Sequence, residues 1–96
     1  MARLSLSPRA ESNLVRIFEF YASADPLLAA RVVTYIRSYL NELASSPQIG
    51  RLVEAGFREL IIPFGKTGFV ALYDFNKKRG VVHIASIRHQ REAGYR

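Results

Sequence analysis

The sequence predicts an α+β fold, with the order β-α-α-β-β-β, in which a twisted antiparallel sheet carries an α-helical hairpin on one face. Apolar residues recur every three or four positions in the first half of the chain, and the period changes to two after residue 56. Helices followed by a run of strands favour two layers around one core. A length of 96 residues suits a single domain, which we expect to span residues 1–96.

A short strand and two helices are predicted first. Residues 3–7 alternate polar and apolar side chains, which is typical of a strand with one buried face. Ser7-Pro8 and Asp25-Pro26 then mark two helix starts, because the polar side chain caps the helix and proline lacks only an N–H that needs no partner there. The helices are predicted to run to about residue 22 and about residue 44. Because few residues separate them, they should lie antiparallel.

Three strands in a meander are predicted after a connecting loop at residues 48–56. The strand segments are rich in β-branched and aromatic residues and are joined by Gly- and Asn-containing turns. These segments are 57–63, 68–75 and 80–88. Apolar positions on the predicted inner faces are assigned to packing in the core, namely Leu14, Phe18, Val32, Leu40, Leu72 and Ile84.

Composition excludes several classes of chemistry. The chain has no cysteine, and its two histidines, His83 and His89, are too few to build a zinc site, so we expect no metal. It also lacks a phosphate-binding glycine loop and a serine nucleophile elbow, and we expect no cofactor. Its apolar runs are too short for a membrane span or a signal peptide, which predicts a cytoplasmic protein without a membrane partner.

The positive charge is concentrated in the second half of the chain. The net charge is +6, with six basic and five acidic groups in residues 1–56 but eight basic and three acidic groups in residues 57–96. This asymmetry points to an acidic partner, which could be protein, RNA or DNA. A surface that is basic only for solubility is an equally good interpretation of the charge alone.

The C-terminal segment, residues 86–96, combines the side chains that could carry chemistry. Arginine can pair with phosphate or carboxylate, histidine titrates near neutrality, and tyrosine can stack on a base or donate a proton. Such groups could bind a polyanion or assist phosphodiester cleavage. From these residues alone, a solvated tail with one ring packed on the sheet is the simpler interpretation.

Several segments together resemble the ParE/RelE toxins of bacterial type II toxin–antitoxin systems. They are the Phe57-Arg58-Glu59-Leu60 segment, the strand from Gly68 to Tyr73 and the closing residues 87–95, in the predicted element order. The resemblance covers essentially the whole chain and implies one of two activities. RelE-like members are ribosome-dependent mRNA interferases, which use basic residues on central strands and a Tyr or His near the C-terminus. ParE-like members have a similar fold and poison DNA gyrase.

Val70 favours the second activity. The resemblance implies an arginine near this position in the cleaving members, and an apolar valine cannot stabilise the charge that develops on a reacting phosphate. Lys66 could replace it in part. We therefore predict a gyrase inhibitor that catalyses no reaction, with a ribosome-dependent endoribonuclease acting on mRNA as the alternative. The catalytic candidates of that alternative are Arg88, His89, Arg91 and Tyr95.

The resemblance also implies two protein interfaces. The basic residues of the last third are the candidates for contact with the target, namely Lys77, Lys78, Arg79, Arg88, His89, Arg91 and Tyr95. A cognate antitoxin, with an acidic helix-and-strand segment, would wrap around the toxin and suit its charge. Apolar helix residues in excess of those a two-layer core needs, Val15, Ile36 and Leu40, could form its groove, although each could equally be ordinary core.

A third hypothesis is a nucleic-acid-binding module without toxicity. Phe69, Tyr73 and Phe75 could form an exposed aromatic platform of the kind that RNA-binding sheets use. The same residues alternate as a core face does, which weakens this interpretation. His83 lies inside a strand pattern and is interpreted as a structural residue.

Overall fold

The chain folds into two helices packed against one face of a five-stranded sheet, in a computed structural model that describes residues 1–91. The predicted α+β class is confirmed. The elements are β1 (Arg3–Leu6), α1 (Pro8–Ala22), α2 (Pro26–Glu42), β2 (Arg51–Leu52), a 3-10 turn (Glu54–Gly56), β3 (Arg58–Phe64), β4 (Thr67–Asn76) and β5 (Val81–His89). Neither helix is long and apolar enough to cross a membrane within this described part.

Both helices begin where the cap-and-proline signals predict. The Ala10 N–H donates to Ser7 Oγ, and the Leu27 N–H donates to Asp25 Oδ1, each at 3.0 Å. These bonds satisfy backbone donors that have no partner within the helix. The second helix ends at Glu42, slightly earlier than predicted, because the following residues form turns.

The strand order is β1-β5-β4-β3-β2, and it differs from the prediction in two respects. β1 pairs with β5 in parallel, whereas all other pairs are antiparallel. A period of two is the same for either direction, so the sequence pattern could not distinguish them. The segment predicted as a loop contains β2, which has two residues and is too short to show a period.

The core lies between the helix hairpin and the sheet. Leu14, Val32, Leu40 and Ile84 are buried there, as predicted. Two residues that were predicted to lie in the core, Phe18 and Leu72, do not lie there. We call the face of the sheet that is turned away from the helices the open face. Phe18 is 39% exposed on α1. Leu72 lies between two core residues of β4, Ala71 and Tyr73, and therefore faces the open side of the sheet. There it pairs with Ser86 and is half-buried.

Helix α1 completes the edge of β5 that β1 leaves uncovered. β1 pairs only with residues 81–84 of β5. Beyond them, the Ile87 N–H donates to Asn13 Oδ1 at 2.9 Å, and Ser7 Oγ donates to the Ala85 carbonyl at 2.7 Å. Polar side chains of α1 and its cap therefore take the place of a neighbouring strand. They form hydrogen bonds with backbone groups at this edge of β5, so the edge is not open to pairing with other chains.

Tyr73 fixes the segment before β3 onto the sheet. The Gly50 N–H donates to the buried Tyr73 hydroxyl at 2.8 Å, and Arg58 Nη1 donates to the Gly50 carbonyl at 2.8 Å. A Cβ at Gly50 would lie 2.6 Å from the Tyr73 hydroxyl oxygen and 2.7 Å from the Glu59 carbonyl oxygen. Burial raises the pKa of Tyr73, so its hydroxyl remains neutral. Only glycine fits this contact.

We predict that Gly50→Ala and Tyr73→Phe each lower the free energy of unfolding by about 1–3 kcal/mol, through overpacking and through a buried N–H left without an acceptor. Because both substitutions act on one contact, the double variant should lower the free energy of unfolding by less than the sum of the two single effects. Urea denaturation measures all three. Tyr21→Phe is the control, since the Tyr21 hydroxyl makes no hydrogen bond with residues 1–91. An unchanged stability of Gly50→Ala contradicts this account.

Candidate functional site

The basic residues proposed for target contact lie at two ends of the sheet. Lys77, Lys78 and Arg79 are exposed in the turn between β4 and β5. Arg88 lies near the other end of β5, which at a rise of ~3.3 Å per residue spans about 26 Å. These residues therefore form two basic ends and not one patch. Tyr95, the last member of the predicted set, lies outside the described residues.

Arg88 and His89 face opposite sides of the sheet. Arg88 pairs with Val70, and His89 pairs with Phe69. The Phe69 ring belongs to the core and contacts the His89 ring edge to face at 5.6 Å between centroids. His89 therefore lies on the helix side, whereas Arg88 lies on the open face. The two catalytic candidates of the endoribonuclease alternative do not share a surface within β5.

On the open face, Arg88 lies beside an apolar position. Val70, its partner in the register, is 2% exposed. Arg88 Nη1 donates to the carbonyls of His89 at 3.3 Å and Gln90 at 3.4 Å, which orients the guanidinium along the strand end. Lys66 is exposed in the turn before β4, at the same end of the sheet. This geometry can bind an anion, but Val70 supplies no group that stabilises developing charge.

The helix side of the same end contains a cleft, which we call the α1 cleft. Its volume is about 520 Å³. It lies between the second half of α1 and the ends of β4 and β5. Its walls are mainly apolar, and basic side chains lie among its lining residues. Its lining residues are Arg16, Ile17, Phe20, Tyr21, Phe69, His89 and Arg91. The cleft brings together His89 and Arg91 from the predicted set and separates them from Arg88.

Sequence reasoning missed two lining residues of the α1 cleft. Neither Arg16 nor Phe20 was given a role from the sequence, and Phe20 lies off the buried side of α1. Phe20 is 72% exposed at the mouth of the cleft. A large aromatic residue off the buried stripe was the signal that could have identified this surface.

The three residues proposed for the antitoxin groove are not equivalent. Val15 is 56% exposed on α1, but Ile36 and Leu40 are 0% and 1% exposed and belong to the core. Their side chains are closed to a partner because they face the sheet. Phe18 is exposed instead, and it follows Val15 by three residues on the same side of α1. We call Val15 and Phe18 the hairpin patch.

A second, more acidic cleft of about 410 Å³ lies against the open face. Glu59 lines it and is buried, with Oε1 accepting from Arg51 Nη2 at 2.7 Å. Glu54 and Leu72 also line it. No group of three or more His, Cys, Asp or Glu side chains within residues 1–91 is placed to hold a metal ion.

The chain matches the sequence model of a known family over most of its length. Residues 4–94 match the family described as ParE toxin of type II toxin-antitoxin system, parDE. Toxin RelE3 of Caulobacter vibrioides is 33% identical over 92 residues, which cover 96% of this chain and 98% of the relative. Toxin RelE1 of the same organism is 32% identical over 84 residues, which cover 88% of each.

Solved toxin–antitoxin structures share the fold. The chromosomal ParDE system from P. aeruginosa gives a TM-score of 0.76 at 22% identity and covers 93% of this chain and 96% of that chain. The intact E. coli RelBE toxin–antitoxin complex gives a TM-score of 0.66 at 15% identity and covers 99% and 100%. Sequence relatives thus carry the RelE name, whereas the family model and one structural neighbour carry the ParE name.

We predict that the neutral His89 ring carries its proton on Nε2. The Arg91 N–H donates to His89 Nδ1 at 3.2 Å, so Nδ1 acts as the acceptor, and Nε2 faces Thr67 Oγ1 at 3.5 Å. Long-range ¹H–¹⁵N correlation spectra at alkaline pH measure the tautomer directly. Thr67→Val should shift the Nε2 resonance, whereas the resonances of His83 serve as the internal control. A ring protonated on Nδ1 would contradict the placement of Arg91.

Proposed function

The chain belongs to the ParE/RelE superfamily of toxins of type II toxin–antitoxin systems, and from this membership we propose that it inhibits DNA gyrase and is neutralised by a cognate antitoxin. Such an inhibitor acts by binding and trapping its target with broken DNA, so it needs a surface and no reacting groups of its own. The proposal is that this chain arrests growth when its antitoxin is missing.

Val70 is the observation that carries the choice of gyrase. It is apolar and buried beside Arg88 on the open face, where resemblance to the cleaving toxins implies an arginine. A phosphodiester transition state needs fixed positive charge at that point. The separation of Arg88 and His89 onto opposite faces further supports a surface that binds over one that cleaves.

The two basic ends are the proposed contact surfaces for the gyrase–DNA complex. The turn of Lys77, Lys78 and Arg79 provides one, and the opposite end provides the other, with Arg88 on the open face and Arg91 on the helix side. A separation of about 26 Å along β5 allows both ends to touch a large target at once. Positive charge raises the association rate with an anionic surface and makes the binding sensitive to salt. Tyr95 remains a candidate for contact with the target on the grounds of the sequence alone.

A second candidate is a ribosome-dependent endoribonuclease. Relatives named as RelE toxins are 33% identical over nearly the whole chain. Arg88 lies on the open face, and Lys66 lies in the turn at the same end, where the two could contact the phosphates of mRNA bound to the ribosome. In this alternative, Lys66 would replace the charge that Val70 lacks.

The antitoxin is proposed to contact the hairpin patch. Glu11 Oε1 and Arg37 Nη2 lie 3.5 Å apart between the helices, and Val15 lies one turn further along α1 on the Glu11 side. The patch therefore borders the groove between α1 and α2, and an amphipathic helix could place apolar side chains there. Ile36 and Leu40 support this groove from beneath through the core.

We predict that the antitoxin-free protein inhibits DNA supercoiling by purified gyrase and accumulates cleaved DNA. Replacing Lys77, Lys78 and Arg79 together by serine should weaken inhibition by about tenfold at low salt, because three charges next to a polyanion are lost. Replacement of Arg9 and Arg31 by serine is the control, since these exposed helix residues lie away from the ends of the sheet. A translation reaction run in parallel, with mRNA cleavage mapped by primer extension, gives the opposing outcome. Codon-specific cleavage that Arg88→Ala abolishes, with gyrase unaffected, contradicts the gyrase proposal.

We predict that Val15→Glu weakens binding of the antitoxin by about tenfold or more, because a charge would be buried without a partner. Ser38→Glu is the matched control and should bind normally, because Ser38 is exposed on α2 beside Tyr35, on the side that faces away from α1. Ile36→Ala should instead lower the free energy of unfolding by about 2–5 kcal/mol, since it empties a core position. Calorimetric titration with the antitoxin and urea denaturation separate the two effects. Equal binding by the Val15 and Ser38 variants would remove the hairpin patch from the interface.

A further inference from the structure

We propose that the acidic cleft on the open face binds an arginine side chain on the protein part of the gyrase–DNA complex. The acidic cleft has a volume of about 410 Å³, and its lining residues are Val53, Glu54, Ala55, Phe57, Glu59 and Leu72. The inference rests on the proposed inhibition of gyrase and adds to it a contact of the opposite charge. Whereas the two basic ends suit DNA, this cleft suits a cationic group of a protein.

The sheet and the turn before β3 form the walls of the acidic cleft. Glu59 pairs with Leu72 in the register of β3 and β4, so their side chains stand together on the open face. The turn closes the other side. Its Val53 N–H donates to the Phe57 carbonyl at 2.8 Å, and the Phe57 N–H donates to the Glu54 carbonyl at 3.1 Å. Backbone hydrogen bonds therefore hold both glutamates at the cleft.

The second carboxylate oxygen of Glu59 points to a ligand. Only 9% of Glu59 is exposed, and its Oε1 accepts from Arg51 Nη2 at 2.7 Å. No group within residues 1–91 donates to Glu59 Oε2, and this atom is not sealed in the interior. A carboxylate that has lost most of its water is destabilised unless its oxygens find donors. A donor that enters the cleft would satisfy this oxygen.

The contact with Arg51 shows which donor fits. Its guanidinium reaches Glu59 with a side chain that is 78% exposed, and Arg51 does not line the cleft itself. A planar guanidinium donates to both oxygens of a carboxylate and stacks on aromatic rings. The cleft offers Glu54 as a second carboxylate and Phe57 as a half-buried ring. Arginine matches this combination better than lysine, which has no planar face.

Charge decides which component of the target can occupy the acidic cleft. Two carboxylates repel the phosphates of DNA and RNA, and they also repel the acidic antitoxin segment that the sequence leads us to expect. At physiological ionic strength the Debye length is about 8 Å, so the local carboxylates act on a group in the cleft more strongly than the distant charges of the +6 chain do. An arginine on the protein surface of gyrase therefore fits.

The test measures binding of the purified protein to gyrase without DNA, by surface plasmon resonance. Glu54→Gln and Glu59→Gln should each raise the dissociation constant about tenfold, because each replaces a carboxylate by a neutral amide of nearly the same shape. Glu42→Gln is the matched control and should stay within about threefold, since Glu42 is exposed at the end of α2 outside the cleft. Circular dichroism and thermal unfolding check that each variant is folded.

Arg51→Gln separates a binding role of Glu59 from a structural one. This variant removes the same ion pair as Glu59→Gln but leaves both carboxylates in the cleft. It should therefore bind gyrase at least as tightly as the unaltered protein does. If Glu59 serves only to hold Arg51, the two variants will weaken binding equally, and that result overturns the proposal.

The basic turn gives the complementary measurement. Replacement of Lys77, Lys78 and Arg79 by serine should leave binding to DNA-free gyrase within about threefold and should weaken it only when DNA is present, because these charges meet phosphates. Loss of binding to DNA-free gyrase by this variant, with normal binding by the Glu54 and Glu59 variants, assigns the protein contact to the turn and overturns the cleft site.

Failure of the cleft site and failure of the gyrase proposal give different results. Unchanged affinity of the folded Glu54 and Glu59 variants overturns the cleft site and leaves the inhibition of gyrase intact. An unaltered protein that inhibits supercoiling but binds gyrase only in the presence of DNA also overturns the cleft site alone. An unaltered protein that neither binds gyrase nor inhibits supercoiling overturns both proposals together.

Discussion

The hydrogen bonding of β5 along both edges is the constraint on which the rest of the structure depends. One edge is bonded to β4, and the other is shared by β1 over its first half and by Asn13 and Ser7 over its second half. Because buried backbone groups must find partners, α1 is held close to the strand at Ile87. That position sets which side of α1 meets the sheet and which side is left for the α2 groove.

The alternation of β5 then distributes the basic residues of the C-terminal third. Arg88 and His89 are neighbours in sequence but are turned to the open face and the helix face. Arg91 joins His89 in the α1 cleft, and the turn of Lys77 to Arg79 lies at the far end of the strand. Charge that looks continuous along the sequence is thus divided among separate surfaces. Separate surfaces suit a protein that must engage a target and a neutralising partner.

Much of the fold could be predicted from local sequence patterns, whereas the α1 cleft could not. Ser7-Pro8 and Asp25-Pro26 act within one helical turn, and the change of period after residue 56 reflects burial on one face of each strand. These features need no knowledge of distant residues. The α1 cleft combines Phe20 of one helix with Phe69 and His89 of two strands, so it depends on how the layers pack. Ile36 shows the same limit, because periodicity marks an apolar stripe without saying what covers it.

By itself, the sequence determined the α+β class, the order of the two helices and the four longer strands, the helix starts and the family, since each is written in caps, period and local segments. The tertiary structure alone decided that β1 lies parallel to β5, that a two-residue β2 closes the edge of β3, and that Gly50 packs on the Tyr73 hydroxyl. It also decided which basic residues share a surface. The reason is physical: strand direction and lateral contacts arise from pairing between residues far apart in the chain, and no local pattern encodes the partner.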